Sequence, residues 1–282
     1  MEYLGRRNRR CPRRRLISAF PLLLAGATAC QGTEVSPRSA AVPDTLSHTV
    51  LEFTRGLEGC TGPYEGCGWV GLRYPDFPQR LSPAGDSARE WVARHLLGSV
   101  DPDGTPAQGP ELFAQRFLAA VEEFQAEFPQ AATGGWFMER EVAVRRNDLQ
   151  VVGLELREHV YMGGAHSNFF TVFGNLDRGT GASVPPLEAL LQPGADASLL
   201  EQAEEELRRV RELPSELPLT EAGYWEDRLP LPGTFLLARD GLLLYYNPYE
   251  VTSFAMGPDS LLLPWAAVAP LLREPQRWIP PS

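Results

Sequence analysis

The 282-residue chain contains no lysine; all 26 of its basic residues are arginine. That excludes a Gly-x-x-x-x-Gly-Lys phosphate loop. The sequence also has no Gly-x-Ser-x-Gly elbow, no His-Glu-x-x-His and no Cys-x-x-Cys. Histidine is scarce, limited to His48, His95, His159 and His166. His159 and His166 could approach each other with Glu158 or Asp177, but metal sites usually need three or four supported ligands. No metal and no cofactor are expected. Carboxylates are too numerous to single out a catalytic pair without a fold, and no catalytic residue is assigned. No internal repeat is evident.

Cysteine is equally rare, with four residues. Cys11 lies in a basic segment of seven arginines between Arg6 and Arg15. Leu16 to Ala29 is apolar but too short to span a bilayer comfortably, so residues 1–29 have the form of a signal peptide. Small residues lead directly into Cys30, as in a bacterial lipobox, and Arg13-Arg14-Arg15-Leu16-Ile17 loosely fits a twin-arginine signal. Cys30 is the expected lipidation site; the bland alternative is an ordinary signal peptide cut nearby. Residues 30–47, rich in Ser, Ala and Pro, form a tether without apolar period. The expected location is the cell envelope, lipid-anchored and facing the periplasm or exterior. Cys60 and Cys67 remain as an even pair in a Gly/Pro-rich loop, consistent with a disulfide in an oxidising compartment.

Without residues 1–29, arginine falls from 26 to 19 and Asp plus Glu from 36 to 35, leaving a formal net charge of −16. Such a body repels nucleic acid and favours a cationic partner.

The rest is long enough for a sizeable core. Thr49–Phe53 and Trp69–Tyr74 are predicted strands flanking the cysteine loop. Ser87–Leu97 and Glu111–Phe128 are predicted helices, the second carrying Phe113, Phe117, Val121, Phe124 and Phe128 at helical spacing. Trp136–Arg145 alternates and turns at Arg146-Asn147-Asp148 into Val151–Val160. There Val152, Leu154, Leu156 and Val160 predict a strand with one buried face. Gly163-Gly164 breaks the run with residues suited to positive φ, and a strand resumes through Leu176. Ser198–Leu213 is a predicted helix, with Glu204–Arg208 and Glu205–Arg209 at i,i+4 as on a solvated face. A Pro-rich loop with Trp225 follows, then a hairpin of Thr234–Ala238 and Leu242–Tyr246. The predicted class is α+β: a mostly antiparallel sheet packed by several helices, in two intimate halves.

Tyr161-Met162-Gly163-Gly164-Ala165-His166 resembles the signature of the domain of unknown function 3298 (DUF3298). Gly174 to Gly181, Pro248-Tyr249-Glu250-Val251 and Ala255-Met256-Gly257 fit the segments that follow it in that family. Residues 48–150 resemble the companion domain 4163, residues 151–275 the DUF3298 half, and 276–282 a tail. The resemblance extends to the extracytoplasmic part of a lysozyme-binding anti-sigma factor and to the accessory domain of peptidoglycan deacetylases. It implies a non-catalytic envelope binding module, for a cationic protein such as a lysozyme-like hydrolase or for a wall glycan. Candidate ligand-binding residues are Tyr161, Gly163, Gly164, His166, Tyr249 and Glu250, with Trp225, Tyr245 and Tyr246 as further aromatic contacts. The local alternative is that Tyr161 covers a sheet edge and His166 bonds backbone beside the turn. The rival function is a cell-wall polysaccharide hydrolase or deacetylase-like enzyme using His166, Tyr161 and Glu250.

Overall fold

A computed structural model describes residues 45–79, 82–98, 104–129 and 135–281. The signal segment, Cys30 and most of the tether lie outside them. Two sheets carry the architecture. The first has the order β1 (Thr49–Gly56), β2 (Trp69–Asp76), β3 (Phe137–Asn147), β4 (Val151–Tyr161), β5 (Asn168–Asp177). Its pairs are antiparallel except β2–β3, which is parallel and therefore needs a long crossover. Two helices supply it: α1 (Pro83–Leu96) and α2 (Pro110–Glu127). The mixed, mostly antiparallel α+β class holds.

Ser82 accepts the Gly85 amide at 3.1 Å, and Pro83 opens the first turn, so α1 starts four residues before Ser87. Phe113, Phe117 and Val121 of α2 are fully buried against the sheet, whereas Phe128 is exposed. Arg140 lies beneath α1. Its Nη1 donates to the carbonyls of Leu96 (2.8 Å) and Gly98 (3.0 Å), its Nε to Glu158 (2.6 Å), and its guanidinium lies over Phe113. A cation bonded to the last carbonyls of a helix satisfies orphan acceptors and complements the helix dipole.

The second sheet is β6 (Thr234–Leu237), β7 (Gly241–Tyr246), β8 (Asp259–Pro264), all antiparallel. It packs with α3 (Leu187–Leu190), α4 (Asp196–Arg211) and the short α5 (Trp265–Val268) and α6 (Pro275–Trp278). After β8 the chain continues into α5 and a 3-10 turn at Ala269–Leu271, a strand followed by short helical turns. In α4 the inward stripe is Leu199, Ala203, Glu204 and Leu207. Glu204 does not face solvent: it is buried, accepting Arg228 Nη1 and the Leu229 amide. Arg208 instead reaches the carbonyls of Pro214 and Leu217, and Arg209 pairs with Glu206.

The expected boundary at residue 150 falls in the β3–β4 hairpin. The two apolar clusters draw on residues up to Leu176 and from Val184 onward, with Val151 contributed to the second. They meet on β4, whose residues 151–156 are all buried. Both faces of this strand are covered, not one, because Leu236 of β6 lies over Gly153. A Cβ at Gly153 would come within 2.8 Å of Leu236 Cδ1. Glu155, set among polar positions by the alternation, is buried and paired to Arg145.

Polar bonds complete the junction. Arg146, 3% exposed, follows a β-bulge in β3. Its Nη1 donates to Leu237 O (3.2 Å) and Trp278 O (2.6 Å), and its Nε to Asp148 (2.6 Å). The free edge of β5 is closed by side chains. Asn247 accepts the Thr171 amide and donates to its carbonyl, at 2.7 and 2.9 Å. Asn175 does the same for Leu237 and Phe235, both at 2.8 Å. Thr234 accepts the Phe173 amide. At the N-terminal end, Leu46 is buried and doubly bonded to the Asn147 side chain, so the final tether residues join the fold.

Cys60 and Cys67 form a disulfide in the β1–β2 loop. Closing so short a loop restricts the unfolded chain by about 2.5 kcal/mol in the loop-entropy account. Two outcomes follow. The non-reduced protein should weigh about two daltons less than its thiol form, and reduction should lower the urea-unfolding free energy by about 2 kcal/mol; two alkylatable thiols would contradict the bond. Arg146→Met should cost about 3 kcal/mol in the same assay, since it strands two buried carbonyls and Asp148. A change under about 0.5 kcal/mol would show that the junction does not depend on the guanidinium.

Candidate functional site

The Tyr161–His166 stretch is the tip of the β4–β5 hairpin, with Val160 opposite Asn168. Gly163 and Gly164 have φ of 88° and 104°, in the region that favours glycine. Tyr161 Oη donates to Gly164 O at 3.0 Å, and His166 Nδ1 lies 2.9 Å from Ser167 O. The His166 ring stacks on Phe254 of the 3-10 turn Phe254–Met256, with centroids 3.9 Å apart, and Tyr249 lies 5.7 Å from that same ring. The hairpin tip is therefore clasped to the second half.

Glu250 accepts the amides of Gly233 (2.8 Å) and Asn247 (2.9 Å) with its two oxygens, shaping its own loop. Tyr249 is exposed with φ of 69°, a left-handed conformation unusual for an aromatic residue. Its carbonyl faces exposed Trp225 at 3.5 Å. Tyr161, His166 and Glu250 are thus each held by separate backbone partners. Tyr246 is no surface contact: it is fully buried, with Oη donating to Pro230 O. Tyr245 is half-buried, edge-on to Phe173 and 3.3 Å from Thr171 Oγ1.

A concavity lies elsewhere, on the face of the first sheet turned away from α1 and α2. Its volume is about 510 Å³. Strand register brings two rows of side chains across it. Glu52, Arg73, Glu141 and Arg157 make the first; Thr54, Gly71, Glu139, His159 and Phe169 make the second. In the charged row the signs alternate. Arg73 donates to Glu52 (3.1 Å) and Glu141 (2.6 Å), and Arg157 approaches Glu141 and Glu155 at 3.5 Å. Bonds to Glu141 and then Glu52 raise the Arg73 pKa above its ordinary value.

The second row is aromatic at one end. His159 stacks on Phe169 with centroids 4.2 Å apart and meets Phe137 edge-on. Tyr64, from the disulfide loop, is 72% exposed and packs edge-on against Phe137. Its hydroxyl is 3.5 Å from Glu139; burial and then that carboxylate raise its pKa. Ser167 Oγ lies 2.9 Å from His159 Nε2, while Glu139 lies 3.7 Å from Nδ1, beyond a hydrogen bond.

These groove residues escaped the sequence reading because they come from separate segments; only the polar positions of β4 signalled any of them. Cys60, Glu65 and Cys67 place ligand-type atoms within 4.8 Å of one another. The sulfurs are bonded to each other and Glu65 binds the Thr61 amide and hydroxyl, so this is no vacant metal set. Among the described residues, no helix is long and apolar enough to cross a membrane.

The clasp gives a direct expectation. Phe254→Ala should destabilise the protein by about 1 kcal/mol and speed hydrogen exchange at the 163–167 amides. Unchanged exchange there would mean that the turn holds itself.

No functionally curated protein matches the chain. A crystal structure of a DUF3298 family protein from Pseudomonas aeruginosa PAO1 superposes with a TM-score of 0.64 at 20% identity, covering 85% of this chain and 99% of that one. A DUF3298 family member from Bacteroides fragilis gives 0.61 at 18% identity, covering 82% and 95%. The family model described as "Protein of unknown function (DUF3298)" matches residues 188–266, downstream of the Tyr161–His166 turn. The chain thus contains a DUF3298 domain, set within a fold shared with solved proteins of that family.

Proposed function

We propose that the chain is an exported lipoprotein whose folded body is a non-catalytic binding module of the cell envelope. Its partner is a cationic protein, with a lysozyme-like hydrolase as the model, in preference to a wall glycan. The supporting observation is the open sheet face: a broad groove whose arginines are already engaged by carboxylates, bordered by exposed aromatics. Such a surface offers contact area and polar complementarity. The net charge of the chain beyond residue 29 favours encounter with a basic partner. The disulfide fits an oxidising compartment, and the order of basic, apolar and small residues before Cys30 fits lipid attachment. In this reading Tyr249, with the His166 turn clasped beside it through Phe254, adds to the binding surface, and Glu250 fixes the loop that presents Tyr249.

A specific observation favours the alternative of a hydrolase. Ser167, His159 and Glu139 follow one another in the order of nucleophile, base and orienting acid. Labelling of Ser167 by a fluorophosphonate, absent in Ser167→Ala, would move the assignment to that class.

The principal test is capture by the lipid-free chain from residue 31 onward, using lysozyme, unrelated basic proteins and peptidoglycan fragments. Selective lysozyme capture surviving moderate salt is expected, because diffuse attraction is screened within about 10 Å at 0.1 M. Equal capture of all basic proteins, vanishing with salt, would refute a specific interface. In cells, Cys30→Ala should release the protein from the membrane fraction; persistent attachment would refute the anchor.

A further inference from the structure

We infer that the groove on the open sheet face is a recognition slot for a single basic side chain, a lysine or arginine protruding from a protein partner, seated on Glu139. The inference rests on the binding reading above and assigns its contact point.

On the open face the groove carries three carboxylates, Glu52, Glu139 and Glu141, and two guanidiniums, those of Arg73 and Arg157; Arg140 and Glu158, which also border it, pair on the helix side of the sheet. Glu158 is held by Arg140 at 2.6 Å. Glu52 and Glu141 share Arg73, and Arg157 also approaches Glu141. Glu139 is left with two long, polar neighbours, the Tyr64 hydroxyl at 3.5 Å and His159 Nδ1 at 3.7 Å. Among the described residues it is the lining carboxylate without a guanidinium partner, so it retains acceptor capacity for a cation.

The space around Glu139 suits such a guest. Its register partner on β2 is Gly71, which contributes no side chain beside the carboxylate. On β4 its register partner is His159, backed by Phe169, which is 50% exposed. Tyr64 stands on the disulfide loop beyond the carboxylate. Lysine and arginine combine an apolar stem with a charged head. Stacked rings receive the stem, aromatic faces attract the head, and the carboxylate fixes it. An uncharged sugar hydroxyl would leave the groove's surplus negative charge uncompensated, and a phosphate would be repelled by it.

The test needs no protein partner. The chain from residue 31 onward, which contains every described element, is titrated with Nα-acetyl-lysine-N-methylamide and its arginine counterpart. Nα-acetyl-norleucine-N-methylamide is the uncharged control. NMR signals of the His159 and Phe169 rings are followed. Saturable shifts with a Kd on the order of millimolar are expected for both cations and none for norleucine. Glu139→Gln should weaken binding by about tenfold or more. Gly71→Val should also abolish it while retaining the fold. A Cβ there meets nothing closer than 3.4 Å, and valine favours strands. No shift at these rings, an equal shift with norleucine, or unchanged affinity in Glu139→Gln would overturn the slot. Slot titration can fail while lysozyme capture succeeds, which would leave the binding reading standing on another surface. Capture can fail while the titration succeeds, which would refute lysozyme and keep the slot.

Discussion

One buried guanidinium connects the two halves. Arg146 leaves the first sheet at its bulge and gives its donors to carbonyls on β6 and at the chain's C-terminal end. A charge taken out of water is costly unless every donor finds an acceptor. Here the acceptors come from segments about 90 and 130 residues downstream. The site is therefore satisfied only when both halves are folded and correctly placed. The Asn247 side-chain amide imposes the same condition on β5, an edge strand that would otherwise expose unpaired backbone groups, and Asn175 of β5 does so in turn for the backbone of β6.

This arrangement explains why the open sheet face divides into two regions. Near residues 151–156, Leu236 and its neighbours cover β4 and the surface is core. Beyond Arg157 the face opens, with Tyr64 of the disulfide loop packed at its margin against Phe137, and the exposed positions carry interleaved charges and rings. Ion pairs exposed in this way contribute little to stability, about 0–1 kcal/mol each. Their more evident effect is to hold long side chains in fixed register across strands, so that the groove keeps one shape.

Much of the fold was legible in the sequence because local patterns report local structure. The alternation at Val152, Leu154 and Leu156, the Phe113–Phe117–Val121 stripe and the Cys60–Cys67 pair all led to the elements now seen. Errors arose where a distant segment decided the environment. Glu155 and Glu204 carry charges on otherwise amphipathic patterns, yet partners elsewhere pull both into the interior. Tyr246 alternates with surface positions on a strand, but its inward side is closed by Pro230 and the second core. The groove was invisible for the same reason. Glu139 and Gly71 become neighbours only through a parallel pairing separated by two helices. The Gly-Gly turn was recognised as a turn, but its stacking partner Phe254 lies 88 positions after His166 and leaves no local trace.

The bond between Leu46 and Asn147 has a mechanical meaning. Any pull applied to the chain before Leu46 reaches two hydrogen bonds on the residue beside Arg146 before it reaches β1. Load therefore enters next to the junction, where it is shared between both cores, instead of at an edge strand that could be peeled away one pair at a time. A body held by its N-terminal end and tugged by a bound partner would tend to move as one piece, with the groove's register preserved under tension.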